Sequence, residues 1–452
     1  MNLLSFILPF ADMDGIIKFN ECEWRLKLKK VSALIIVILI LLVTLVGCNN
    51  SSPQDDLTMI AHPTTAPSTT EPPTPEPSDT TPEPTPDPGI FESTFNDITA
   101  AELVASIRVG WSLGNTFDAH SLNWLGDSPS VYAMETGWQP NSTTRENIEA
   151  LSAAGFNAIR IPVTWIKATD ENYNIREDWM ARIKRVVDWA VANEMVIILN
   201  SHHCEYFFSM LDVDLERTKE YFTRIWEQIA TEFKEYSEKL IFEGLNEPRT
   251  VGSAAEWSGG TAEEHNNLNI LNQNFVDTVR RTGGYNDKRI LMIPTYAASA
   301  TEIAQKALVM PNDTVPNKII VSIHSYAPWE FALRTGHDRP IEWSADNIND
   351  TRPITQPLDI AYELFVSQGI PVIIGEMGAI NRNNLESRVA WAEFYTSYAK
   401  SKGIPCFWWD PNMSYVTKEQ DWGWEETFGI FNRSSNTFDH PEIVDALMRG
   451  TE

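Results

Sequence analysis

Cysteine is scarce in this sequence, long apolar runs are scarcer, and basic residues are outnumbered by acids. Each shortage closes off a class of protein. Four cysteines in 452 residues cannot staple a disulfide-rich scaffold. Cys22 and Cys48 fall near the N-terminus. Cys204 follows one apolar run and Cys406 opens another, so no bridge between them is expected. Lysine and arginine total 35 against 62 acids, a formal charge of −27. So acidic a surface repels phosphate backbones and argues against a nucleic-acid partner. Metal-ligand spacings are missing too. His202-His203-Cys204-Glu205 comes nearest, but adjacent side chains on an extended segment point in opposite directions. Neither a metal nor a cofactor is expected.

The longest uncharged apolar run spans 31–46, behind Arg25, Lys27, Lys29 and Lys30. It is short for a membrane-spanning helix and suits the core of a signal peptide. The run closes on Leu45-Val46-Gly47-Cys48, which resembles the lipobox of bacterial lipoproteins. That resemblance implies cleavage before Cys48, lipidation of its thiol, and a place on the extracellular face of a bacterial membrane. An uncleaved anchor helix is the alternative. Residues 1–24 fit no export signal, which points to a start codon upstream of the true one. Residues 1–47 thus read as a lipoprotein signal peptide. Residues 48–89, including TTEPPTPEPSDTTPEPTPDPG, are a Pro/Thr/Glu-rich tether whose composition cannot bury a core.

Residues 90–452 continue without another low-complexity break, and no carbohydrate-binding module is evident. Eight short apolar runs recur at 107–113, 158–163, 196–200, 240–245, 289–294, 319–323, 371–375 and 405–409. Amphipathic segments such as DWMARIKRVVDWAVANE and LESRVAWAEFYTSYAKSKG separate them, several ending in Gly. Continuous apolar strands alternating with helices indicate a parallel sheet covered on both faces. The expectation is an α/β fold, a closed (β/α)8 TIM barrel, with a doubly wound open sheet as runner-up. A monomer is expected.

Polar and aromatic residues gather at the C-terminal ends of these strands. Arg160 lies in the second, His202 and His203 follow the third, and Asn246 and Glu247 the fourth. His324 and Tyr326 follow the sixth, Glu376 the seventh, and Trp409 closes the eighth. Barrel enzymes keep their chemistry at that rim. Glu247 and Glu376 occupy matching places on strands four and seven, so two carboxylates could approach one small molecule. Glycoside hydrolysis needs that pair, and a separation of about 5–5.5 Å makes the second a nucleophile. The competing reading makes either Glu a buried ion-pair partner, for instance of Arg160.

Eight motifs in order make the resemblance specific: GWSLGNTFDA, ETGWQP, RIPVTW, LNSHH, EGLNEP, HSYAP, IIGEMG and FWWD. Across the block the chain resembles glycoside hydrolase family 5, and within it subfamily 4. The resemblance implies an endo-acting, retaining β-1,4-glucanase with Glu247 as general acid/base and Glu376 as nucleophile. A charged Glu376 close by should then raise the pKa of Glu247. Arg160 and Tyr326 become donors to Glu376, and Asn246 binds a sugar 2-hydroxyl. His202 and His203 bind other hydroxyls, while His324 sits between Glu247 and the surroundings of Glu376. Trp409 becomes the stacking floor, with Asn115 and Trp138 in further sugar contacts and a cis bond expected at Trp409-Asp410. Trp257, Trp329, Trp422 and Trp424 lie in or near loops where a cleft could run. Trp179, Trp189, Trp226 and Trp391 lie on predicted helices and read as packing. Cellulose, mixed-linkage glucan, xyloglucan, xylan and mannan all stay open as substrates. A surface glycan-binding lipoprotein without catalysis, or an export or cell-wall factor on the same barrel, are the readings from other classes.

Overall fold

The computed structural model describes residues 94–335, 340–415 and 426–452. The signal segment, Cys48, the tether, Trp422 and Trp424 lie outside these residues. Eight parallel strands close on themselves in chain order. They are β1 (Gly110–Leu113), β2 (Ala158–Ile161), β3 (Val196–Asn200), β4 (Leu240–Glu243), β5 (Leu291–Ser299), β6 (Ile319–His324), β7 (Val372–Met377) and β8 (Cys406–Asp410). The seam pairs β1 with β8, Gly110 opposite Phe407 through Leu113 opposite Asp410. The barrel expectation holds, and the open sheet is excluded.

Each strand is followed by a helix: α1 (Arg145–Ala153), α2 (Glu177–Ala192), α3 (Asp212–Glu232), α4 (Ala262–Arg281), α5 (Glu302–Ala307), α6 (Ile348–Leu364), α7 (Leu385–Ser401) and α8 (Pro441–Arg449). Local chemistry starts several of them. Thr144 and Thr261 cap α1 and α4 reciprocally with Asn147 and Glu264, satisfying amides that the first turn leaves unpaired. One boundary differs from the sequence pattern. Helical periodicity is visible only from Leu358, yet α6 begins at Ile348 and contains Pro353 and Pro357. Prolines one turn apart interrupt the same side of the helix, so the remaining amides still form their ladder. The helix-borne Trp179, Trp226 and Trp391 are fully buried, as packing residues should be, and Trp189 packs partly buried against the same core.

Strand alternation sorts side chains into two cores. Ile159, Ile161, Ile197, Leu199, Phe242, Val321, Ile374 and Trp408 face outward into the main cluster beneath the helices. Ala158, Val196, Ile198, Ile241, Met292, Ile320, Ile373 and Phe407 form a second cluster inside the barrel. The N-terminal helix Ala100–Ser106 adds Ala100, Leu103 and Val104 to that inner cluster. Further along the same inward rows the residues turn polar: Ser112, Arg160, Asn200, Glu243, Ser322 and His324, all buried. Packing fills one end of the barrel and leaves chemistry to the other. Among the described residues no helix is long and apolar enough to cross a membrane, and Cys204 and Cys406 are free and buried.

Gly110 shows how tightly the inner layer is filled. A Cβ there would lie 2.2 Å from the Phe407 ring. Gly110→Ala is therefore expected to destabilise the protein by about 1–3 kcal/mol through overpacking. Urea unfolding checks this, and an unchanged midpoint would contradict it.

Candidate active site

Arg160 takes an inward position of β2 because Ile159 and Ile161 claim the outward ones. Its side chain is fully buried, and a guanidinium there needs its donors satisfied. Nε donates to Glu243 Oε2, Nη1 to Glu376 Oε1 and Nη2 to Asn246 Oδ1, each at 2.7 Å. Burial alone would weaken its charge, but Glu243 and Glu376 outweigh burial and hold the group more firmly protonated than usual.

Glu376 sits where β7 departs from regular pairing, with register shifts toward both β6 and β8. Such irregularities re-aim side chains beside active sites. The shift brings Glu376 to Arg160 and to the Tyr326 hydroxyl, which donates to Oε2 at 2.8 Å. Gly375 makes room for the neighbour: a Cβ there would lie 2.9 Å from His324 Nε2.

Glu247 lies four residues beyond the end of β4, in the loop. One of its oxygens lies within 4.8 Å of an oxygen of Glu376, with a nitrogen of His324 equally close to both. His324 Nδ1 is 2.9 Å from Glu247 Oε1 and 3.7 Å from Glu376 Oε2. Arg249 Nη1 reaches the other side, 3.5 Å from Glu247 Oε2, and donates to Glu205 Oε1 at 3.1 Å. Here the structure corrects an expectation. Burial would raise the pKa of Glu247, but the hydrogen bond and charge of His324, then Arg249 and His203, bring it below the ordinary value. His324 answers in the opposite sense: burial would keep it neutral, yet Glu376 and Glu247 raise it. Glu376 does not dominate because the imidazole stands between the two acids. The two groups are coupled through this hydrogen bond, which favours a proton on the imidazole over one on the carboxyl group.

His202 and His203 were expected to diverge, but His203 adopts a left-handed backbone with φ of 43°. Both rings therefore face one side, with centroids 4.4 Å apart. Asn200 Oδ1 accepts from the Val163 amide, so its Nδ2 donates to His202 Nδ1 at 3.0 Å. This leaves the proton of neutral His202 on Nε2, 3.9 Å from Glu376 Oε1 and beyond direct hydrogen bonding. Burial holds His202 well below the usual histidine range. Asp118, His202 and His203 present three ligand-type atoms within 4.8 Å. A metal suits them poorly, since His202 Nε2 carries its proton and both Asp118 oxygens accept backbone amides, from Asn115 and Thr116. Donors and acceptors in such a mixture suit hydroxyls.

Trp409 closes the inner row of β8, packed with Ile380 and Phe428 and parallel to His202 at 5.7 Å. Beyond it His203, His120, Trp138 and Tyr206 form a continuous aromatic wall. His120 lies 4.8 Å from Trp138 and 4.1 Å from Tyr206. Asn115 stands at the turn after β1 with φ of 56°. Trp257 and Trp329 are more than half exposed, Trp257 lying over the Arg249 guanidinium. The cis bond expected at Trp409-Asp410 is absent; the cis peptide among the described residues is Ala327-Pro328. The β1–β8 ladder runs on through Asp410, whose trans peptide continues the strand.

Comparison with known proteins agrees with this geometry. Residues 122–414 match the family model "Cellulase (glycosyl hydrolase family 5)". The chain belongs to glycoside hydrolase family 5. It is 42% identical over 358 residues to the cellulase/esterase CelE of Acetivibrio thermocellus, spanning 79% of this chain and 41% of that protein. It is 39% identical over 352 residues to endoglucanase A of Clostridium longisporum, spanning 78% of this chain and 66% of that one. The chain thus spans less than two thirds of the length of either relative. Among solved structures it is similar to a GH5-4 broad specificity endoglucanase from Ruminococcus champanellensis with bound cellotriose. The TM-score there is 0.74 and the identity 41%, over 79% of this chain and 100% of that one.

Around this family 5 site stand residues to which the resemblance gave no role, Asp118, Asn200 and Glu243 inside its motifs and Glu205 and Arg249 outside them. The signal was partly there, since Asn200 and Glu243 fall on inward positions that are apolar lower in the barrel. The shared proton yields a test. The His324 imidazole should titrate above the ordinary histidine value of 6.5, and Glu247→Gln, removing one of the two acids that raise it, should bring the midpoint down. Nitrogen-15 NMR of labelled histidine checks this; an unmoved midpoint would refute the pairing.

Proposed function

We propose that the protein hydrolyses internal β-1,4-glucosidic bonds of plant cell-wall glucans with retention of anomeric configuration. The observation that carries this is the approach of Glu247 and Glu376, whose oxygens come within 4.8 Å. So short a nearest approach favours the retaining arrangement, with carboxyl groups about 5–5.5 Å apart, over the inverting one at about 6.5–9.5 Å. In the first step an oxygen of Glu376 attacks the anomeric carbon and the bond to the leaving sugar breaks. The proton shared by His324 and Glu247 passes through Glu247 to the leaving oxygen. In the second step Glu247 takes a proton from water, whose oxygen displaces Glu376 from the sugar. Arg160 and Tyr326 hold both oxygens of Glu376. Asn246, fixed by Arg160, is placed for the 2-hydroxyl, and His202 and His203 for neighbouring hydroxyls. Trp409 offers the face on which a pyranose ring stacks. Asn115 and Trp138 line the way to outer subsites.

Names among the relatives support a glucan substrate, and both carboxylates are present, which disfavours a binding-only lipoprotein. Export, lipidation at Cys48 and tethering by the Pro/Thr segment to the outside of a bacterial membrane belong to the same proposal, resting on the sequence. A monomer on that tether needs no partner to complete the site.

Proton NMR of cello-oligosaccharide hydrolysis should show the β-anomer of the new reducing end first. Glu376→Gln should lower kcat on the order of 10⁴-fold or more while leaving glucan binding intact. First appearance of the α-anomer, or a substantially active variant, would refute the mechanism. Release from mannan alone would refute the glucan assignment.

A further inference from the structure

Glu243 closes the apolar part of β4, and its side chain has no solvent exposure. An ionised carboxylate so placed is costly unless hydrogen-bond donors reach both of its oxygens. Here three strands supply them. Oε2 accepts Arg160 Nε from β2 at 2.7 Å and Asn200 Nδ2 from β3 at 3.1 Å, and Oε1 accepts Ser322 Oγ from β6 at 2.7 Å. We infer that Glu243 is a positioning residue that aims the Arg160 guanidinium at Glu376 and shares its charge, so that the nucleophile stays both fixed and reactive. This rests on the hydrolytic reading of the site.

Two effects follow from the same contacts. Geometrically, Arg160 has one bond to each of Glu243, Glu376 and Asn246. The guanidinium is planar, so anchoring Nε from behind sets where Nη1 and Nη2 point. Glu243 thereby orients the attacking oxygen and the amide placed for the 2-hydroxyl together. Through Asn200 it also reaches His202, whose Nδ1 accepts from the same Nδ2. Electrostatically, one guanidinium serves two carboxylates. Were Arg160 paired with Glu376 alone, its whole charge would stabilise the nucleophile's anion and dull its attack. The other groups facing Glu376 are the Tyr326 hydroxyl at 2.8 Å, His324 at 3.7 Å, His202 at 3.9 Å, Glu247, and Glu426, on which the charge of Glu376 acts. None of these contacts Glu243, so removing its charge acts on Glu376 chiefly through Arg160.

The test uses 2,4-dinitrophenyl β-cellobioside, whose leaving group needs no acid, so kcat/KM reports on attack by the nucleophile. Glu243→Gln keeps the shape and removes the charge. Its kcat/KM should fall about 100-fold. The acid limb of kcat/KM should move down by about one pH unit, because Arg160 now favours the anion of Glu376 more strongly. Glu243→Asp keeps the charge and shortens the reach, so it should slow turnover with the limb at its wild-type place. A residue that merely neutralises Arg160 for stability would lower Tm in both variants and leave the limb unmoved. That result, or a Glu243→Gln enzyme of normal rate, overturns the inference. Should Glu243→Gln fail to fold, Ser322→Ala removes one donor at less cost. A several-fold lower kcat/KM on the aryl glycoside then supports the inference, and an unchanged kcat/KM overturns it. A wild-type protein that leaves β-glucans intact sinks the hydrolytic reading itself, whereas an active wild type beside an indifferent Glu243→Gln sinks this inference alone.

Discussion

A guanidinium with no access to water, held between two carboxylates and an amide, is the constraint around which this site is arranged. Arg160 can occupy the barrel interior only because Glu243, Glu376 and Asn246 each accept one of its N–H groups at 2.7 Å. Taking away one acceptor leaves a buried charge short of compensation, a loss usually worth several kcal/mol. The need is mutual, since each buried acid takes one of its hydrogen bonds from the arginine. Stability and reactivity therefore draw on the same bonds, and the groups that touch Glu376 cannot be varied as freely as a surface ion pair.

The barrel makes this arrangement affordable by dividing its interior. Aliphatic side chains and Phe407, joined by Ala100, Leu103 and Val104 of the N-terminal helix, fill one end. Polar residues then occupy the later inward positions of β1, β2, β3, β4 and β6. Rigid strands carry the inner polar groups and loops carry the aromatic ones. Trp138 and Trp257 are loop residues and Trp329 opens a one-turn helix between strands, and such segments change more readily than strands. The outer aromatic groups can thus vary without disturbing the carboxylate pair.

How much of this was legible beforehand depends on the physical signal each feature leaves. The strands were readable because burial on both faces makes them continuously apolar, and the rim residues because polar groups ending such runs are costly without a use. Glu243 was hidden in plain view: it precedes Asn246-Glu247-Pro248 in the same segment, but only knowledge of which positions face inward separates it from a surface acid. The start of α6 was masked by Pro353 and Pro357, since local propensity argues against a helix that tertiary packing accepts. The left-handed turn at His203 leaves no trace in a His-His pair, and the assumption of an extended chain pointed its ring the wrong way. The proton balance of Glu247 could not be read either, because it depends on an imidazole 77 positions away in sequence and 2.9 Å away in space.

In the proposed mechanism one site must supply an acid and then a base. Were Glu247 alone beside Glu376, their repulsion would have to hold the proton on Glu247 and then release it on cue. His324 changes the problem, because a single hydrogen bond lets the proton rest on nitrogen and visit oxygen. Glu247 then needs only transient protonation when a leaving oxygen approaches. Once the charge of Glu376 is consumed in a covalent bond, the imidazolium loses the foremost of the groups that raise it. Arg249, held among Glu205, Glu247 and Glu256 on the far side, keeps a positive charge beside the carboxylate throughout. It favours the ionised form that the second step needs as base. The two acids thus take different roles from their neighbours rather than from their own chemistry: Glu376 is locked by fixed donors, and Glu247 is left against a partner that can exchange its proton.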